Sequence, residues 1–205
     1  MADTILDAGR LSDRLEVLEL RETAEQTWEW VTIRRAWAQV EQTSKTNLFS
    51  KVGVGARDAA IVLRTQPLTL HHALRWKGQH LFLTAITKRD RMHLNVQGAM
   101  VTPVTCTAKG YTTTVGPDNR PQKAEKSPVT FPGVLTEKYV GYEREDTYAK
   151  TKRTLVLVTP KAVTIGEGDL VTVTQGPAQA VYNVQARHVL DEYKNEYEMT
   201  FSGDV

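Results

Sequence analysis

The chain has 205 residues, of which 40% are hydrophobic and 24% charged, with 26 basic against 24 acidic residues. This profile suits one globular domain or two small ones and is too apolar for general disorder. No run approaches the roughly 18 apolar residues of a membrane-spanning helix. The opening "MADTILDAGRLSDRLEVLEL" lacks a signal pattern, so a cytosolic protein is expected. A lone Cys106 excludes an internal disulfide or thiolate zinc site, and the charge balance argues against gripping nucleic acid mainly through charge.

In chain order, "LSDRLEVLELRE" comes first. Leu11, Leu15 and Leu18 fit a helical stripe, but Leu18 and Leu20 fit a strand with a shifted face, and the segment is read as a strand. "TAEQTWEWVTIRRAWAQVEQ" (23–42) holds three of the four tryptophans and reads as a turn feeding one long strand. Alternation places Val31, Ile33 and Trp37 on one face and Trp30, Ala36, Ala38 and Val40 on the other. Large residues on both faces suit a strand bent through a barrel, with the rings in the core.

"TSKTNLFSKVGVGARD" follows. Leu48, Phe49 and Val52 line one face of a short expected helix capped by Ser44, and Gly53 and Gly55 then make a flexible loop. "AAIVLRT" (59–65) is a β-branched run. In "LRWKGQHLFLTAI" (74–86), Lys77-Gly78-Gln79 forms a hairpin turn between apolar runs. "MHLNVQ" alternates Met92, Leu94 and Val96 with polar residues, which is strand periodicity.

The composition then shifts. All the tryptophans lie before residue 77 and all seven tyrosines from Tyr111 onward. The Gly-, Pro- and Thr-rich stretch between them reads as a linker, giving units at 1–107 and 129–205 joined by residues 108–128. Strand signals in the second unit at 154–159, 170–174, 180–186 and 196–201 follow the order and spacing of those at 60–65, 73–76, 80–87 and 92–97. Either this is a divergent repeat or two β-units share a similar spacing. The expected fold is mainly β: a small β-barrel with a short helix in a long loop, followed by a second small β-barrel or β-sandwich.

Few residues nominate chemistry. "VGVGARD" lacks the third glycine of a dinucleotide motif and the Lys-Ser or Lys-Thr of a phosphate loop. Adjacent His71 and His72 point to opposite faces of an extended chain and do not share a metal. Cys106 reads as a small buried hydrophobe. Acids in "YEREDTYAKTKR" and "LDEYKNEYE" alternate with Lys, Arg and Tyr, as solvated faces do. "TKRDRMH" (87–93) is the densest basic patch, and Lys88, Arg89 and Arg91 are its candidates for phosphate or partner contact. Neither a catalytic residue, nor a metal ligand, nor a cofactor site is expected.

Thr27-Trp28 followed by Trp37-Ala38-Gln39-Val40-Glu41, then a polar segment and β-strands ending in a hairpin, resembles the head–tail joining (connector, stopper or head-closure) proteins of tailed bacteriophages. The likeness covers roughly residues 10–107 and treats Thr27, Trp28, Trp37, Ala38 and Val40 as its motif core. Trp30 and the Arg34-Arg35 pair depart from the pattern, and the second unit lies outside it.

The resemblance implies a non-enzymatic virion protein of the phage neck, made in the host bacterial cytoplasm. It would assemble with itself as a ring, on the order of six or twelve copies, between portal or adaptor and tail terminator or tail tube. Double-stranded DNA would pass without sequence-specific contact and no membrane would be involved. A channel-facing loop would comprise Ser44–Asp58, with Ser44, Lys45, Asn47, Phe49, Lys51, Gly53, Gly55, Arg57 and Asp58 as its residues. The alternative is a small-barrel protein for single-stranded nucleic acid, stacking bases on Trp28, Trp30 and Trp76 beside the basic turn.

Overall fold

The computed structural model describes residues 11–46, 56–115, 118–137, 154–188 and 192–204. The chain is mainly β and divides into two units.

The first unit comprises Met1–Arg21, Trp30–Ser50 and Gly55–Thr102. Its strands are β1 (Asp13–Ala24), β2 (Thr27–Thr46), β3 (Ala56–Arg64), β4 (Ala73–Trp76), β5 (Gln79–Lys88) and β6 (His93–Val101). They pair in the order β1-β4-β5-β6-β3-β2, and β2 pairs back onto β1. A sheet closed in this way leaves no free edge. Period-two alternation fills the interior: Leu15 and Val17 from β1, Ile61 and Leu63 from β3, and Leu81 and Leu83 from β5 form one buried cluster with Ala38, Leu74, Trp76 and Val96.

Local chemistry sets the closure. β4 and β5 join through Lys77-Gly78, both at positive φ, the two-residue turn whose twist matches the strands it links. In β5, pairing with β6 shifts between Leu83 and Ala85, so Thr84 is extra and the strand bends. Asp13 ties three strands together. Its Oδ1 accepts the Trp76 indole N–H at 3.0 Å and its Oδ2 accepts the Val40 backbone N–H at 3.2 Å.

The second unit comprises Glu22–Glu29, Lys51–Val54 and Pro103–Val205. Its strands are β7 (Val104–Lys109), β8 (Tyr111–Val115), β9 (Pro121–Glu125), β10 (Val129–Glu137), β11 (Thr154–Pro160), β12 (Leu170–Gln175), β13 (Ala178–His188) and β14 (Lys194–Asp204). Six of them pair as β10-β11-β14-β13-β12-β7, and β7 pairs back onto β10. β8 and β9 form a separate two-stranded antiparallel sheet within residues 108–128, the stretch whose composition reads as a linker.

Read from their first strands, the two closed sheets have the same order: first, fourth, fifth, sixth, third, second. The likeness extends to detail. β12 and β13, the fourth and fifth strands, join through a two-residue Gly176-Pro177 turn with Gly176 at φ 60°. The fifth strand is again bulged, here at Gln185 between Val184 and Ala186. Cys106, Phe131, Leu157, Val171, Val173, Val184, Tyr197 and Met199 are buried in this unit. The Tyr197 hydroxyl accepts the Ile165 N–H at 3.0 Å, and Asn195 Nδ2 donates to the Val163 carbonyl at 2.8 Å, which fixes the connection leading to β12.

Three expectations need correction. Trp37 is not in the core but 59% exposed. Ala38 pairs with Leu63, and both are fully buried, so alternation turns Trp37 outward. Ile33 and Val40, of opposite parity, both pack on the core, so the inward face of β2 changes between them, as a bend or bulge produces. Met92 precedes β6 and is 60% exposed instead of starting the inward row. Ser44, the expected helix cap, lies in β2, which runs to Thr46, and residues 47–55 of the expected helix and loop lie outside the described residues.

Candidate functional site

The outward turn of Trp37 places it in a concave feature of the first unit. Trp37 and Arg64, each one residue beyond the buried Ala38–Leu63 pair, are both exposed. With Arg35 and Ala36 from β2, Thr65 and Gln66 beyond β3, and Leu11 before β1, they line a groove of about 500 Å3. The groove is held from below: Arg34 donates through Nε to Gln66 Oε1 at 2.8 Å and also to the Pro67 carbonyl. Arg35 and Arg75 both approach Glu16, at 3.7 and 3.3 Å. Its lining combines an indole with the side chains of two arginines, Arg35 and Arg64.

The basic turn at 87–93 has a defined shape. Asp90 Oδ1 accepts the backbone N–H groups of Met92 and His93 at 2.6 and 2.8 Å, and Oδ2 lies 3.0 Å from His93 Nδ1. The Met92 N–H, more than any other contact, holds the Asp90 carboxyl below its usual range, and His93 adds to it. Lys88, Arg89 and Arg91 are therefore displayed, exposed, on an ordered turn. Arg89 also lines a smaller groove of about 260 Å3 with Gln39 and Glu41.

Of the channel-loop residues, Ser44 and Lys45 are in β2, and Arg57 and Asp58 begin β3. Arg57 is exposed. Asp58 is half-buried, and burial pushes its carboxyl upward. Asn47, Phe49, Lys51, Gly53 and Gly55 lie outside the described residues. In the motif, Ala38 is buried, Thr27, Trp28 and Val40 are half-buried, and only Trp37 faces out.

Trp76 cannot stack a base. It is 7% exposed, with its indole N–H bound to Asp13 and Lys77 Nζ 4.5 Å above the ring. His72 Nδ1 accepts the Thr69 N–H at 3.1 Å, a loop role, and Cys106 is fully buried with its thiol pushed up to about 12 by burial. Among the described residues, no group of three or more His, Cys, Asp or Glu residues is placed to hold a metal, and no helix is long and apolar enough to cross a membrane.

Sequence reasoning missed two clusters. One is the Arg35–Trp37–Arg64 groove. Arg35 and Trp37 already share a strand parity, which is a signal for an outer face. The other is the stack of Trp30, His80 and Phe82, brought together from β2 and β5. Nothing in local periodicity announces that second cluster.

No protein-family model matches the chain, and no curated protein is similar to it in sequence. Among solved structures it is similar to a chain of "Virion of native gene transfer agent (GTA) particle", at 21% identity and a TM-score of 0.37, covering 45% of this chain and 96% of that one. A likeness at that level assigns no function.

Proposed function

We propose that the chain is a structural, non-enzymatic virion protein of a phage-type neck, a ring-forming joining protein between portal or adaptor and tail. The observation that supports it best is the placement of the Thr-Trp and Trp-Ala-x-Val-Glu stretch. It lies along one strand of a small closed barrel, with Ala38 anchored in the core and Trp37 turned out into a groove that Arg35 and Arg64 also line. A solvent-facing tryptophan beside cations is the composition of a protein–protein contact.

A closed assembly suits the rest of the chain. Identical modest contacts act together once a ring closes, so no single large apolar patch is required. A net charge of only +2 avoids the many Lys–phosphate contacts that would retard a passing duplex. Negative-stain imaging of the protein, alone and with portal-bearing capsids, tests this reading. An annulus, or density at one capsid vertex, is the expected result; a protein that never joins a particle would sink it.

A further inference from the structure

Two surface features carry opposite charge. The groove around Trp37 is the basic one. Trp37 is 59% exposed, an open position for an indole that gains most when covered. Arg35 has a side chain 60% exposed and reaches Glu16 only at 3.7 Å. Arg64 is exposed and pairs with no carboxylate among the described residues.

The acidic feature is the turn joining β1 to β2. Residues 19–29 hold Glu19, Glu22, Glu25 and Glu29 against the single Arg21, and Glu22, Glu25 and Glu29 are exposed. The turn is shaped in advance. Glu22 Oε1 accepts the Gln26 N–H at 2.8 Å, Gln26 sits at φ 58°, and its carbonyl accepts the Thr130 N–H at 2.8 Å. A preordered acidic knob loses little freedom on docking.

A ring of identical chains runs head to tail, so each copy must present two different patches that complement each other. We propose that the Trp37 groove receives the acidic β1–β2 turn of a second copy of this chain, with Arg35 and Arg64 meeting its glutamates and Trp37 covered at the contact. The head-to-tail sense rests on the ring reading above; the charge and shape of the two patches do not. An indole and two arginines lining one groove also fit a base and its phosphate. The self-contact is favoured because the same molecule supplies the complementary acids.

Charge reversal tests it by sedimentation velocity. R35E/R64E and E22K/E25K/E29K, each folded by circular dichroism, are expected to self-associate on the order of 100-fold more weakly than the wild type. An equimolar mixture of the two recovers assembly, because each chain then offers one matched surface in each direction. Carrying both reversals on one chain recovers it too. Self-association unchanged in either variant, or a mixture that stays dissociated, overturns the contact.

Wild-type protein that is monomeric at its highest soluble concentration also overturns it, and the ring reading is then judged by vertex density alone. Annular particles that persist in R35E/R64E alone and in E22K/E25K/E29K alone leave the ring reading standing and remove this contact. Oligonucleotide binding that is lost in R35E/R64E, with self-association untouched, reassigns the groove to nucleic acid.

Discussion

His80 packs against Trp30 with ring centroids 5.2 Å apart, and neither Trp30 Nε1 nor His80 Nε2, both buried, finds a hydrogen-bond partner among the described residues. Phe82 closes the group with its ring edge-on to both. Burial, aided by Arg75, lowers the His80 pKa from 6.5 to about 4. The folded state therefore holds His80 neutral where the unfolded chain would bind a proton.

The sign follows from linkage. Stability is whole above about pH 6.5 and is eroded as pH falls from there through about 4, by roughly 3 kcal/mol in all. His80→Phe should flatten that part of the profile. Urea unfolding of both proteins at a series of pH values between 4 and 7 measures the difference, and parallel curves would refute the assignment.

Asp13 offers a second test in the same unit. Asp13→Ala leaves the buried Trp76 indole N–H without its acceptor at 3.0 Å and frees the Val40 N–H. A loss of about 1–3 kcal/mol is expected. Asp13→Asn, which keeps one carbonyl acceptor, should lose less. Equal losses in chemical denaturation would show that the carboxylate does not act as this tie.

Gly133 sits where a side chain does not fit. A Cβ there would lie 2.6 Å from Leu157 Cδ1 and 3.0 Å from Cys106 Sγ, both in a buried core. Gly133→Ala should destabilise by about 1–3 kcal/mol through overpacking. Adding Leu157→Val should return part of that, a non-additivity readable in a double-mutant cycle. Cys106 itself should resist a thiol reagent in the folded protein at neutral pH and react fully in denaturant, since burial keeps it a thiol.

Tyr197→Phe removes the acceptor of the buried Ile165 N–H with almost no change in volume. The expected loss is about 1–2 kcal/mol, seen as a lower melting temperature. Amide exchange at Ile165 should quicken with it. Unaltered exchange would mean that the hydroxyl does not order the segment before β12.

Legibility in the sequence followed local chemistry. The β4–β5 turn was readable because Lys77-Gly78 stands between two apolar runs, and β3, β5, β11, β12, β13 and β14 announce themselves by β-branched or alternating residues. β7 alternates too, as Val-Thr-Cys-Thr-Ala-Lys, but it and the Thr-rich β8 border the Gly-, Pro- and Thr-rich stretch that reads as a linker, and β10 carries Pro132-Gly133 in its middle. Gly133 there marks a tight approach to Leu157 rather than a break, and only long-range packing reveals that.

Trp37 misled for a related reason. Large residues on both faces of β2 read as a strand covered on each side, but over its twenty residues the inward face changes, so Ile33 packs on the core while Trp37, of the same parity, faces out. The partners of Trp37 in the groove, Arg64 to Gln66 and Leu11, are brought by pairing across the barrel, which single-sequence periodicity does not contain.

The β8–β9 hairpin stands where the first barrel has only the Glu25-Gln26 turn, between its first and second strands. Lengthening such a connection is inexpensive, since closure entropy grows only with the logarithm of loop length, about 0.6 kcal/mol per doubling. The second barrel keeps its strand order with this hairpin in place, and Asp118, Asn119 and Arg120 at its tip are exposed. That tip is consequently a natural point for grafting a foreign epitope or a label, placing a marker on the protein without disturbing either core.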